Sequence, residues 1–231
     1  LVAVSAWSDY PPEAGDLPQV GNSNRLDLEA IVALEPDLVV AWVDGNSASQ
    51  LAKIETVGIP VFWLKPRTFE HIASAVERLA LLSGDETAGA GRAAAFLAGI
   101  EQLRERYQEA PPVRVFYQVW HEPLMTINDE ELIGRAIRLC GGDNVFGHLP
   151  RLVPRISTEA VLEANPEAII TAGTVDDKQW LNAWHQFPGL EAVAAGNLFL
   201  EPPDLLARPT LRMADGARHL CQTLEQARAN L

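Results

Sequence analysis

The chain has 231 residues, 48% hydrophobic and 21% charged, an ordinary balance for a globular protein able to bury one large core or two smaller ones. Its 18 Lys and Arg stand against 31 Asp and Glu, a net charge of −13 with no basic stripe, which argues against nucleic acid or an anionic membrane surface as a partner. The longest apolar runs, "LVVAW" and "AIITA", are strand-sized and far below the roughly 20 residues of a membrane helix.

The opening "LVAVSAW" reads as a strand, followed by the turn-rich "SDYPPEAGDLPQVG". There is no initiator Met and no basic leader, so the expectation is either a removed targeting segment or a chain that lacks its true start. "DLEAIVALE" predicts a short helix with Asp27 as N-cap and Leu28, Ile31, Val32 and Leu34 on its apolar face. "DLVVAW" reads as a buried strand, "NSASQLAKIETVG" as a helix closed by Gly58, "IPVFWL" as a strand and "FEHIASAVERLALLSG" as a helix with a glycine stop. Alternation of this kind predicts an α/β fold with parallel sheets. From Glu86 to about Glu109 the pattern changes to one long helix, which the paired prolines 111 and 112 end. Strand–helix alternation then restarts at "VRVFYQVW" and runs through the helix "ELIGRAIRLCGG" to a terminal helix after "LFLEP". The expected organisation is a lobe over 1–85, a linking helix over 86–110 and a second lobe over 111–231.

One phrase occurs twice. "LEAIVALEPDLVVAW" at 28–42 and "TEAVLEANPEAIITA" at 158–172 each set a Glu seven residues before a Pro, with a helical apolar spacing between and an aliphatic run after. Glu29 and Glu159 are then first-turn acids favoured by the helix dipole. Their paired occurrence points further, to matching contacts for a pseudo-symmetric partner.

Catalytic signatures are missing: there is no G-x-S-x-G elbow and no phosphate-binding G-x-x-x-x-G-K-[ST], and "GAGRAA" lies inside a helix, where its glycines suit close packing. None of His71, His121, His148, His185 and His219 forms a metal-binding pair by spacing, although His121 with Glu122 and loop acids is the best metal candidate and would serve a metal-dependent enzyme. His71 and His219 read as surface or packing residues, and Asp44, Asp176 and Asp177 as solvated turns. Trp7, Tyr10, Trp42, Trp63 and Trp120 fall at or after strand ends, the rim where parallel sheets bind ligands. In "PPDLLARP", Asp204 and Arg208 lie four apart and could offer an acceptor and a fork of donors. Cys140 and Cys221 are either two buried thiols or one disulfide.

"VSAWSDYPPEA", "LEAIVALEPDLVVAW" with its following "GN", "LCGGDNVF" and the Asp204–Arg208 stretch together resemble the periplasmic vitamin B12-binding proteins of Gram-negative bacteria, over nearly the whole chain. These belong to the two-lobed, helix-linked binding proteins that feed ABC importers of corrinoids, haem and siderophores. The resemblance implies a periplasmic monomer, not an enzyme and without a cofactor of its own, that holds a corrinoid between two lobes and delivers it to an importer's permease dimer. Trp7 and Tyr10, with Asp204, Leu205, Leu206, Ala207 and Arg208, would contact the ligand. Glu29 and Glu159 would dock arginines of the two permease subunits, and Cys140 and Cys221 would be disulfide-bonded. Ser23, Met125 and Val153 depart from the family, which has large aromatics there, so haem or a ferric siderophore is the alternative cargo. The resemblance also implies that the family's first strand and helix lie outside this chain.

Overall fold

Alternating apolar runs and capped helical stretches become alternating strands and helices over residues 1–174 and 177–231, which the computed structural model describes. They divide into two units, Leu1–Lys65 and Pro66–Leu231.

In the first unit the opening segment does not become a strand: it makes an isolated parallel bridge at Val4 with Gln19, and past it the Ala6 N–H bonds to the Gly21 carbonyl, where the partner chain turns at a glycine of φ 112°. Helix α1 (Leu28–Ala33) starts as expected, the Asp27 side chain accepting from the Ala30 N–H at 3.0 Å. Strands β1 (Val39–Trp42) and β2 (Val61–Leu64) are parallel, with Val39 opposite Val61. Between them α2 (Ala48–Thr56) ends at Val57 and Gly58, whose φ of 89° suits a residue without a Cβ. Ile31, Ala41, Leu51 and Ile54 form the core. β1 is not the fully buried strand expected: Val39 and Ala41 pack inward, while Val40 and Trp42 are exposed because this sheet has one covered face. Val32 is likewise exposed, off the apolar face assigned to it.

The second unit opens with a helical hairpin. α3 (Phe69–Ser83) is capped by Thr68, which accepts from the His71 N–H at 3.2 Å, and stops at Gly84 with φ 76°. The division before Pro66 therefore groups α3 with the long helix rather than with the first lobe. α4 (Glu86–Tyr107) has 22 residues, a length of about 33 Å. Gly89 lets the two helices touch, since a Cβ there would overlap that of Ala80. A four-stranded parallel sheet follows, in the order β4-β3-β5-β6: β3 (Val113–Gln118), β4 (Gly142–Asn144), β5 (Ala168–Ala172) and β6 (Leu198–Glu201). Around it lie α5 (Leu132–Leu139), α6 (Thr158–Ala164), α7 (Lys178–Asn182), α8 (Glu191–Ala194), α9 (Pro203–Leu206) and α10 (Met213–Asn230).

β3 is buried on both faces. Val113, Val115 and Tyr117 join a core with residues of α4, α5 and α10, while Phe116 packs edge-on against Phe146 and Trp184 on the other side. Cys140, at the end of α5, is disulfide-bonded to Cys221 in α10, and both are fully buried. α6 begins at Ser157, which accepts from the Ala160 N–H at 3.3 Å. Among the described residues no helix is long and apolar enough to cross a membrane.

Candidate functional site

The rim of the first unit is aromatic. Trp7 is 73% exposed and Tyr10 60% exposed, on the turn that follows the Val4 bridge. That turn is held by the Ala6 N–H bonding to the Gly21 carbonyl at 2.8 Å and by a Ser5–Ser8 hydroxyl contact of 3.1 Å. Gly21 has a φ of 112°, and a Cβ there would strike the Arg25 backbone, so the chain can turn this tightly only with glycine. Ser23 is exposed in the next turn, where the Asn22 side chain accepts from the Asn24 and Arg25 N–H groups at 2.9 and 3.0 Å. Trp42 ends β1 and lies over Gly45, where a Cβ would overlap its ring; its backbone N–H is bonded to the Asn46 side chain at 2.7 Å. Trp63 is partly buried against the core and adds little to the rim.

In the second unit three neighbouring strands end on one rim. Beneath it lies a buried polar layer, with the Thr171 hydroxyl donating to the Gln118 carbonyl at 2.8 Å and the Trp184 indole donating to the Gln118 side chain at 2.8 Å. Glu201, 1% exposed, accepts from the Thr223 hydroxyl at 2.6 Å and meets His219 at 2.5 Å. His219 is thus the partner of a buried carboxylate, a long-range pairing that sequence spacing did not disclose. Past β6, Asp204 and Arg208 form an ion pair of 3.0 Å, both partly exposed. Leu205 and Ala207 share that short segment, and the Leu205 backbone packs against Gly216 of α10. Leu206, also in the expected contact list, is 2% exposed and part of the core, so its side chain holds α9 down and any contact from this residue would come from its backbone.

Past β3, Trp120 is 51% exposed and its indole N–H donates to the Glu122 carbonyl at 3.0 Å. His121 stacks on Trp180, centroids 6.1 Å apart and planes 14° apart. Trp180 in turn meets Trp120 edge to face at 5.3 Å. Among the described residues no group of three His, Cys, Asp or Glu side chains could hold a metal ion. Asp177 bonds the Thr174 N–H and hydroxyl at 2.8 and 3.0 Å, and Asp176 lies outside the described residues. Met125 forms backbone bridges with Trp120 and Arg155, and Val153 is exposed nearby in sequence.

Glu29 and Glu159 are both exposed in the first turns of α1 and α6. Hydrogen bonds from its own backbone N–H and from the Ser157 hydroxyl hold the Glu159 carboxyl below its ordinary pKa, so it is ionised at neutral pH. The two copies also end alike, with Glu35 at φ 45° and Asn165 at φ 42°, each just before its Pro.

Residues 1–205 match the periplasmic binding protein family. The vitamin B12-binding protein of Vibrio parahaemolyticus is 34% identical over 230 residues, 99% of this chain and 82% of that protein. The crystal structure of the periplasmic vitamin B12 binding protein BtuF of Vibrio cholerae superposes with a TM-score of 0.91 at 33% identity, covering 99% of this chain and 89% of that one. The periplasmic haem-binding protein HutB of Vibrio cholerae shares the fold at a TM-score of 0.83 and 21% identity, over 97% of this chain and 90% of that one. These relatives are binding proteins, and this chain belongs to the periplasmic binding protein family.

Proposed function

We propose that the protein captures a corrinoid of the vitamin B12 class in the periplasm and delivers it to an ABC importer. The observation that carries this reading is the likeness to vitamin B12-binding proteins at 34% identity along 99% of the chain. The geometry suits it. Trp7, Tyr10 and Trp42 give the first unit an exposed aromatic surface for the apolar faces of a corrin. Asp204 and Arg208 offer an acceptor and a planar fork of donors to its peripheral amides. Leu205 and Ala207 line the same segment. Glu29 and Glu159 are the acids that would meet one permease subunit each, with the binding protein acting as a monomer. The net charge of −13 favours a basic partner face by steering.

Calorimetric titration with cyanocobalamin, cobinamide and hemin tests the cargo. Saturable binding of the two corrinoids at micromolar concentration or below, with hemin weaker, is the expected result. No heat with either corrinoid rejects the reading, and tight binding of hemin alone replaces it with haem.

A further inference from the structure

The aromatic surface described for the first unit has no counterpart in the segments assigned to ligand contact in the second, where Asp204–Arg208 is polar. Trp120 and Trp180 supply one. Resting on the corrinoid reading above, we propose that these two indoles form the platform on which the second unit seats the flat face of the macrocycle.

Their placement follows from the sheet. β3 and β5 are adjacent and parallel, so the segments that leave their C-terminal ends emerge side by side on the rim where parallel sheets bind ligands. Trp120 comes two residues after β3 and Trp180 comes from α7, after β5. The rings meet edge to face at 5.3 Å, an arrangement that fixes both orientations while Trp120 stays 51% exposed. His121 stacks along Trp180 and braces it. The polar end of Trp120 is already satisfied by the Glu122 carbonyl at 3.0 Å, so what remains exposed is hydrocarbon ring. The backbone beneath is fixed by the Met125 bridges and, one layer down, by the buried Gln118–Trp184 and Thr171–Gln118 hydrogen bonds. Two rings held this firmly, Trp120 half exposed and Trp180 partly so, fit a large flat apolar ligand. Distance agrees. Asp204 and Arg208 follow β6, two strand spacings from β3, on the order of 10 Å. That separation lets one macrocycle lie on the indoles while its periphery reaches the ion pair.

The test is calorimetric titration of cyanocobalamin and cobinamide into the parent protein and into Trp120→Ala, Trp180→Ala, Trp120→Phe and Trp180→Phe. Each Ala variant should weaken both ligands about tenfold and each Phe variant by no more than about threefold, since a smaller ring still stacks. The loss should be equal for the two ligands, because the macrocycle rather than the nucleotide tail makes the contact. Thermal midpoints should stay within about 3 °C of the parent. Should Trp180→Ala fall further, Trp120→Ala carries the test alone, its ring being half exposed. A parent that binds while Trp120→Ala holds its affinity within about twofold overturns the platform and leaves the corrinoid reading standing. A parent that binds neither corrinoid overturns that reading, and the platform with it.

Discussion

Replacing both cysteines, Cys140→Ala with Cys221→Ala, removes a link that closes a loop of 81 residues. In the chain-entropy account such a loop stabilises the folded state by about 4.5 kcal/mol at 25 °C. The substitution keeps both Cβ atoms and takes out only sulfur, so lost packing adds less than the loop does. The bond lies wholly within the second unit, Pro66–Leu231, which has 231 − 65 = 166 residues. An unfolding entropy of about 0.35 kcal/mol/K for a unit of that size converts the loss into a fall of about 13 °C in its thermal midpoint. Scanning calorimetry of parent and variant checks this. Both sulfurs are fully buried, so reductant added to the folded parent should act far more slowly than the mutation implies. A shift below about 4 °C would refute the reasoning and mean that packing between α5 and α10 already confines the unfolded chain.

Other expectations are local. Glu29→Ala with Glu159→Ala should leave cyanocobalamin affinity within about twofold, since both acids are exposed at helix starts, and should weaken capture by the importer roughly fivefold per acid; surface-immobilised transporter in low and high salt reads this out. Glu35→Gly should stabilise the first unit by about 1 kcal/mol by relieving a left-handed backbone at φ 45°. Asn165→Gly should instead destabilise the second unit, because the Asn165 side chain accepts from the Glu191 N–H at 3.0 Å and donates to its carboxylate at 2.8 Å; urea midpoints of the two variants decide it. Burial holds the Glu131 carboxyl above the usual range although it caps α5 by accepting from the Ile133 N–H at 2.6 Å. Its folded pKa exceeds the unfolded value, so its contribution is fully present below about pH 4.3 and is lost as pH rises through the folded value. Glu131→Gln keeps an acceptor, and the urea midpoint should lose that part of its pH dependence.

Much of this was legible because it is written locally. Asp27, Gly58 and Gly84 act within one turn of themselves, and the long helix needed only composition and the two prolines that follow it. Misreadings came where neighbours decide. "LVAVSAW" has a strand's composition but makes an isolated bridge at Val4 and no ladder, and β1 reads as buried although its sheet has one covered face. β4 is spelled Gly-Asp-Asn, residues that strands avoid, and exists because the edge of β3 was open. Leu206 sits in a polar-looking loop yet anchors α9 in the core. Trp180 and the Glu201–His219 pair depend on contacts distant in sequence. The aromatic tendency of strand ends flagged Trp120 but could not supply its partner.

The two tasks proposed for each unit, ligand contact and docking, fall at one end for a topological reason. A helix between parallel strands starts where the preceding strand stops, so the first turn of α6, which carries Glu159, lies on the side where β3, β5 and β6 end. The backbone ties the two together. The segment after Trp120 is hydrogen-bonded to the one before Ser157: Ile156 N–H to the Leu124 carbonyl at 3.0 Å, Thr126 N–H to Pro154 at 3.1 Å and Asn128 N–H to Leu152 at 2.9 Å. The first unit repeats the device, with the Asp27 N–H bonded to the Val20 carbonyl and the Val20 N–H to the Val4 carbonyl, both at 3.0 Å, three residues before Trp7. Each copy of the repeated phrase thus sets an acid where the backbone that presents aromatic rings enters a helix. If the proposed docking and ligand contact both hold, the twin glutamates stand beside the loops that carry the exposed rings, a placement that a favourable first-turn charge alone would not require.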